Sequence, residues 1–159
     1  MKRERKVGDV KGLLKRDKDA LSHYTTSYEI LKVLVKSDPA AADWSHDFAL
    51  TLRGLASVHE KREEITTARD YYDESSKILK TLIETDHTNV VWASDRALVL
   101  KGVASVYNKI GQRQPATEAN AEIEKIVSNL LDEAPEYKIW QHNFKEEIGR
   151  RVEAQARSP

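Results

Sequence analysis

Three tryptophans, Trp44, Trp92 and Trp140, stand 48 residues apart. The same step carries Ala20 to Ala68 to Ala116, Leu34 to Leu82 to Leu130, and Leu52 to Leu100 to Ile148. It also carries Tyr24 to Tyr72, Asp47 to Asp95, Gly54 to Gly102 and Ala56-Ser57-Val58 to Ala104-Ser105-Val106. A fixed period of roughly 20–50 residues marks stacked supersecondary units, none of which can bury its apolar face alone. The feature constrains architecture far more tightly than it constrains function.

Within each period the apolar residues follow helical spacing. Ala20, Tyr24, Tyr28, Leu31 and Val35 form one stripe, and Ala68, Tyr72, Leu79 and Ile83 repeat it. Trp44, Phe48, Leu52 and Leu55 form a second, echoed by Trp140, Phe144, Ile148 and Val152. The stripes break at Ser37-Asp38-Pro39, at Thr85-Asp86-His87-Thr88-Asn89 and at Glu133-Ala134-Pro135, with Pro39 and Pro135 suited to the first turn of a following helix. Opposite turns fall near Arg62-Glu63-Glu64 and at Gly111-Gln112-Arg113-Gln114-Pro115. The expected helices are 2–15, 17–37, 40–62, 64–86, 89–111, 115–133 and 136–156, about seven in all. They group into units 1–39, 40–87 and 88–135 with a terminal helix 136–156, in a single domain over 1–159.

The pattern resembles an elongated tetratricopeptide repeat, a helix-turn-helix unit of about 34 residues reading W-x2-L-G-x2-Y, then A-x3-F, then P. Leu52-x2-Leu55-Ala56-x2-His59 followed by Ala68-x3-Tyr72 matches in spacing, as does Leu100-x2-Val103-Ala104-x2-Tyr107 followed by Ala116. Val7-Gly8 followed by Ala20-x3-Tyr24 matches again and keeps the family's glycine. Ala56 and Ala104 replace that glycine with another small residue, and Asn120 stands where a ring is expected. The added length is about four helical turns, two per helix, which leaves every face in phase. Asp38-Pro39 before Trp44 is similar to the D-P-x-x-x-x-W segment of bacterial long-repeat members. The resemblance implies an all-α, right-handed α-solenoid of stacked antiparallel hairpins, with the tryptophans in the packing between neighbours. The first match begins so near the start that the chain reads as a fragment, or a short homologue, whose first helix exposes apolar surface.

Composition excludes several classes of activity. With 26 basic and 26 acidic residues, the field that draws nucleic acid is missing, and the basic base-reading faces of an RNA-binding repeat are not found. There is no cysteine, hence no disulfide, thiolate nucleophile or Cys-based zinc site. No apolar run is long enough to span a bilayer or to serve as a secretory signal, so no membrane partner is expected and the cytoplasm is the expected location. The five histidines, His23, His46, His59, His87 and His142, lack the spacing of a metal site, and His59 falls at a core-stripe position suited to a packed, hydrogen-bonded ring. Nucleophile-elbow, phosphate-loop and zincin motifs are all absent, so a non-enzyme without cofactor or metal is expected.

In tetratricopeptide proteins the first helix of each hairpin lines a concave groove, and here those helices carry a polar ladder. Arg5, Arg53 and Lys101 are related by the step, followed one turn later by Asp9, Ser57 and Ser105, then by Gly12, Glu60 and Asn108. A basic residue with a hydroxyl one turn away suits carboxylates or peptide carbonyls, loosely like a carboxylate clamp. Leu50 and Leu98 add apolar contacts. The expected function is a protein-interaction scaffold whose groove holds a peptide or helix of a protein partner, acidic in character. The alternative is a spacer or homo-oligomerising segment of a larger regulatory protein with an empty groove. Solvation of Arg53 and Lys101 on an ordinary exposed face is the plainer reading of the ladder.

Overall fold

The computed structural model describes the backbone of residues 2–133, with side chains from residue 16 onward except at 131 and 133. The described chain is all helical: α1 (Lys2–Ser37), α2 (Ala42–Lys61), α3 (Ile65–Thr85), α4 (Val90–Lys109) and α5 (Arg113–Glu133). Each helix packs against the next in chain order, and α2 also packs against α4. The expected helix 136–156, with Trp140, lies outside the described residues.

The four helices after Ser37 fall within about two residues of their expected bounds. The first two do not. Residues 2–15 and 17–37, expected as separate helices, form the single helix α1 of 36 residues. The connecting residues Lys15-Arg16-Asp17-Lys18 contain neither glycine nor proline. Nothing there removes an amide donor or favours a left-handed residue, so the hydrogen-bond ladder continues. The first unit is therefore one long helix and not a hairpin.

The turns show why the other boundaries are sharp. At Asp38 the carboxylate accepts from the Ala40 amide at 3.1 Å, and at Asp86 it accepts from the Thr88 amide at 3.0 Å. These are the same side-chain-closed turn, 48 residues apart. Pro39 belongs to that turn and not to the first turn of α2, which starts at Ala42. After α2 the Glu64 amide donates back to the His59 carbonyl at 3.0 Å, and after α4 the Gln112 amide donates to Tyr107 at 2.9 Å. This six-to-one closure needs one left-handed residue, supplied by Glu63 (φ 62°) and by Gly111 (φ 76°).

The core runs between the helices as a continuous layer. Ala49, Leu52, Ala56, Ala68, Leu79, Val99 and Val106 are fully enclosed, with Ile123 and Ala119 extending the layer into α5. Trp92 packs against this layer from its edge. One member of the repeated stripe breaks character. Arg96, where the step from Phe48 predicts a ring, is only 7% exposed. It is neutralised by Glu122 at 2.6 Å, and its Nε donates to the Ser76 carbonyl at 3.3 Å. A buried guanidinium persists when its charge and its donors are both answered.

The rings of the repeated tyrosines explain Gly54 and Gly102. A Cβ on Gly54 would lie 2.4 Å from Tyr24 Cε1, and one on Gly102 would lie 2.3 Å from Tyr72 Cε1. Glycine lets the ring lie flat on the neighbouring helix. Both members of each pair move together by the 48-residue step.

Candidate functional site

Because α2 and α4 touch directly, their facing residues make one shared surface beside α3. Two carboxylates knit it together. Asp95 on α4 accepts from His46 Nε2 at 2.8 Å and from Arg53 Nη1 at 3.4 Å, both on α2. Glu60 on α2 accepts from the Ser105 hydroxyl at 2.6 Å, Lys109 Nζ at 2.7 Å and the Tyr72 hydroxyl at 3.1 Å. Three helices thus converge on one acid. Burial alone would raise the Glu60 pKa, but the bonds from Lys109, Ser105 and Tyr72 outweigh it and hold the carboxyl below its ordinary value. Tyr72 is shifted upward, first by burial and then by the adjacent Glu60 charge, and stays a neutral donor.

Further contacts tie α3 to α4 and to the end of α2. Tyr107 donates to Asp73 at 2.8 Å, and burial of that carboxyl raises its pKa against the effect of the bond. His59 meets the Glu64 carboxylate through Nδ1 and stacks on Tyr71 with ring centroids 5.5 Å apart. This is the packed, hydrogen-bonded histidine that its stripe position suggests.

The structure brings some members of the expected ladder together and separates others. Arg53, Glu60 and Ser105 all enter the two carboxylate clusters. The Ser105 hydroxyl is therefore committed to Glu60, and Arg53, 34% exposed, already faces Asp95. Leu50 and Arg53 line a recess of about 390 Å³ with Tyr24, Leu31 and Asp47, between α1 and α2. Ser57 and Lys101 are half-buried, Asn108 is exposed, and Leu98 is 38% exposed. The side chains of Arg5 and Asp9 lie outside the described residues.

His46, Tyr72 and Asp95 are the members that sequence reasoning did not place in the site, whereas Lys109 is visible as the repeat of Lys61. Asp95 is visible in the sequence as the repeat of Asp47, and Tyr72 as the repeat of Tyr24. Arg53, one partner of Asp95, recurs as Lys101, but two other partners are not periodic: His46 becomes Ser94 one step on, and Glu60 becomes Asn108. A cross-helix pair between unlike positions leaves no periodic trace.

A second cleft, about 610 Å³, opens where the end of α1 meets the start of α2, lined by Val35, Pro39, Ala42, Ile78 and Leu82 with Lys77 at its edge. Among the described residues there is no cluster of three metal-ligating side chains, and no helix is long and apolar enough to cross a membrane. Comparison with protein-family models, with curated proteins and with solved structures finds no match to this chain.

Proposed function

We propose that this chain is a helical-repeat interaction scaffold of the tetratricopeptide kind, a solenoid whose α2/α4 face receives an extended segment of a partner protein. The observation that carries this reading is the direct contact of α2 with α4, which places one polar, partly open face on alternate helices. The recurrence of turns, left-handed residues and ring-on-glycine contacts at the 48-residue step supports the repeat on which it depends.

The clusters on that face set its chemistry. Asp95 and Glu60 hold α2 and α4 in fixed register, so a partner meets a preorganised surface and little ordering cost attends binding. Arg53 is half-exposed but already paired, so an incoming carboxylate competes with Asp95 and the net gain is small. Apolar contact with Leu98, and with Leu50 at the neighbouring α1/α2 recess, then carries much of the affinity, which is modest for a face of this size. A peptide display selection on the immobilised chain tests this. We expect peptides with an acidic residue beside an apolar one, bound at least about tenfold more weakly by a Leu98→Glu, Lys101→Glu variant of unchanged melting temperature. Failure to select peptides, or equal binding to the variant, contradicts the reading.

Self-association is the second reading, favoured by one specific observation. On α1, Tyr24, Ile30 and Val33 are 36%, 56% and 66% exposed. Ile30 and Val33 lie on one side of the helix and Tyr24 on the other, so α1 leaves apolar side chains open on two sides.

A further inference from the structure

The face of α1 can be read against its own repeat. Ala68, Tyr72, Ser75 and Leu79 of α3 are exposed by 0%, 6%, 0% and 0% because α2 and α4 enclose them from two sides. Their counterparts one step earlier are Ala20, Tyr24, Ser27 and Leu31 of α1. These four meet α2 on one side only: Tyr24 lies on Gly54 as Tyr72 lies on Gly102, yet Tyr24 is 36% exposed. The missing side is the one that α2 supplies to α3.

The residues matching that covering helix are in the chain, in the wrong place. Leu55 and Ala56, which are 2% and 0% exposed in α2, correspond to Val7 and Gly8. In α3 the covering helix folds back through the turn at Glu63. One step earlier that turn would centre on Lys15, where α1 runs straight through. A continuous helix cannot lay its first half on its second. Moreover α2, with 20 residues against 36, runs back antiparallel from the Asp38 turn and is too short to reach the first turns of α1. Roughly 20 Å of α1 therefore extends past the end of α2, at 1.5 Å per residue.

We propose that two copies of this chain pair through α1, antiparallel and centred near Lys15, each laying the turns around Val7 on the Ala20–Ser27 stretch of the other. The contact that a hairpin makes within one chain is made between two, as in a domain swap, and the symmetric arrangement closes so that no fibre results. Val7, Val10, Leu14, Asp17, Leu21 and Tyr24 step by three and four along α1, which is the spacing of a two-helix seam with one acidic member. This inference rests on the repeat reading given under Proposed function. It adds the identity of the partner and the geometry of pairing.

The chain has no cysteine, so single labels can be placed at will. Spin labels on Ser22→Cys and, separately, on Lys36→Cys, both exposed positions, report the pairing by electron–electron distance. Antiparallel pairing about Lys15 separates the two copies by about 25 Å at position 22 and about 65 Å at position 36, from the helical rise and the helix spacing. Light scattering should give a dimer at tens of micromolar, and Val7→Asp should weaken it at least about tenfold while the melt of the remaining helices stays put. Three results overturn the pairing: a monomer at that concentration, equal short distances at both positions, or a dimer that Val7→Asp leaves intact. A monomer whose α2/α4 face still selects peptides overturns the pairing alone, whereas loss of peptide selection with the dimer intact overturns the groove reading alone.

Discussion

Tyr24 and Tyr72 lie on the same glycine of the repeat in the same way, but the first is 36% exposed and the second 6%. The contact that the two share is made by the following helix, and the contact in which they differ is made by the preceding one. Tyr72 has α2 before it, with Glu60 accepting from its hydroxyl. The position matching Glu60 ahead of Tyr24 is Gly12, on the same continuous helix as the ring. One side of a repeat is thus enough to set the conformation of its neighbour, while two sides are needed to bury it. The burial of each ring follows the number of helices that cover it.

The largest test of that comparison uses the paired leucines. Leu79 is fully buried, and Leu79→Ala should cost about 2–5 kcal/mol by lost transfer energy and the cavity left behind. Leu31→Ala, one step earlier on a half-buried face, should cost less than half as much in the same urea titration. Equal losses would mean that α1 is covered as α3 is.

The glycines give a finer test. Gly102→Ala drives a methyl into a Tyr72 ring that is buried and tied to Glu60, and overpacking costs about 1–3 kcal/mol, less about 1 kcal/mol regained in helix propensity. In the unpaired chain Gly54→Ala meets a Tyr24 ring with open space on its far side, so the ring turns away and unfolding free energy, measured at a concentration too low for pairing, changes little. The sign of the difference between the two variants is the readout.

Glu60 ties the covered side together, and pH exposes its share. Its folded pKa lies below the ordinary value of 4.5, so its stabilisation is complete above that pH and is lost as pH falls through the folded value. Glu60→Gln should cost about 1–3 kcal/mol at neutral pH, and the gap to the parent chain should narrow as pH drops below about 4.5. A gap independent of pH would assign the loss to packing and not to charge. Smallest is the turn: Glu63→Gly places the residue of Gly111 at the same left-handed φ and should raise stability by up to about 1 kcal/mol.

Much of this was legible in the sequence, and the exceptions have physical causes. The 3.6-residue stripes and the turn residues Asp38, Asp86 and Gly111 place four of the helices, because burial and local hydrogen bonding are encoded close to where they act. The break expected near residue 16 came from extending the hairpin pattern, and Arg16-Asp17-Lys18-Asp19 contains no residue that would enforce it. Arg53, Glu60 and Ser105 could be placed on one face from helical spacing together with the 48-residue step. That Arg53 faces Asp95, and that Lys109 reaches Glu60 from 49 residues away, depends on side-chain direction across two helices. Periodicity predicts which positions are alike and is silent on unlike positions that meet.

In sequence step and in contact with the following helix α1 and α3 are equivalent, and the one cover that α1 lacks can be supplied. Replacing residues 1–16 with a copy of residues 40–64 puts the chain's own covering helix and its turn ahead of Asp17, in the register of the 48-residue step. Urea unfolding of this variant should show a higher midpoint and a larger unfolding free energy, with self-association through α1 abolished, because Tyr24 and Leu31 gain the enclosure that Tyr72 and Leu79 have. An unchanged or lowered midpoint would contradict the equivalence.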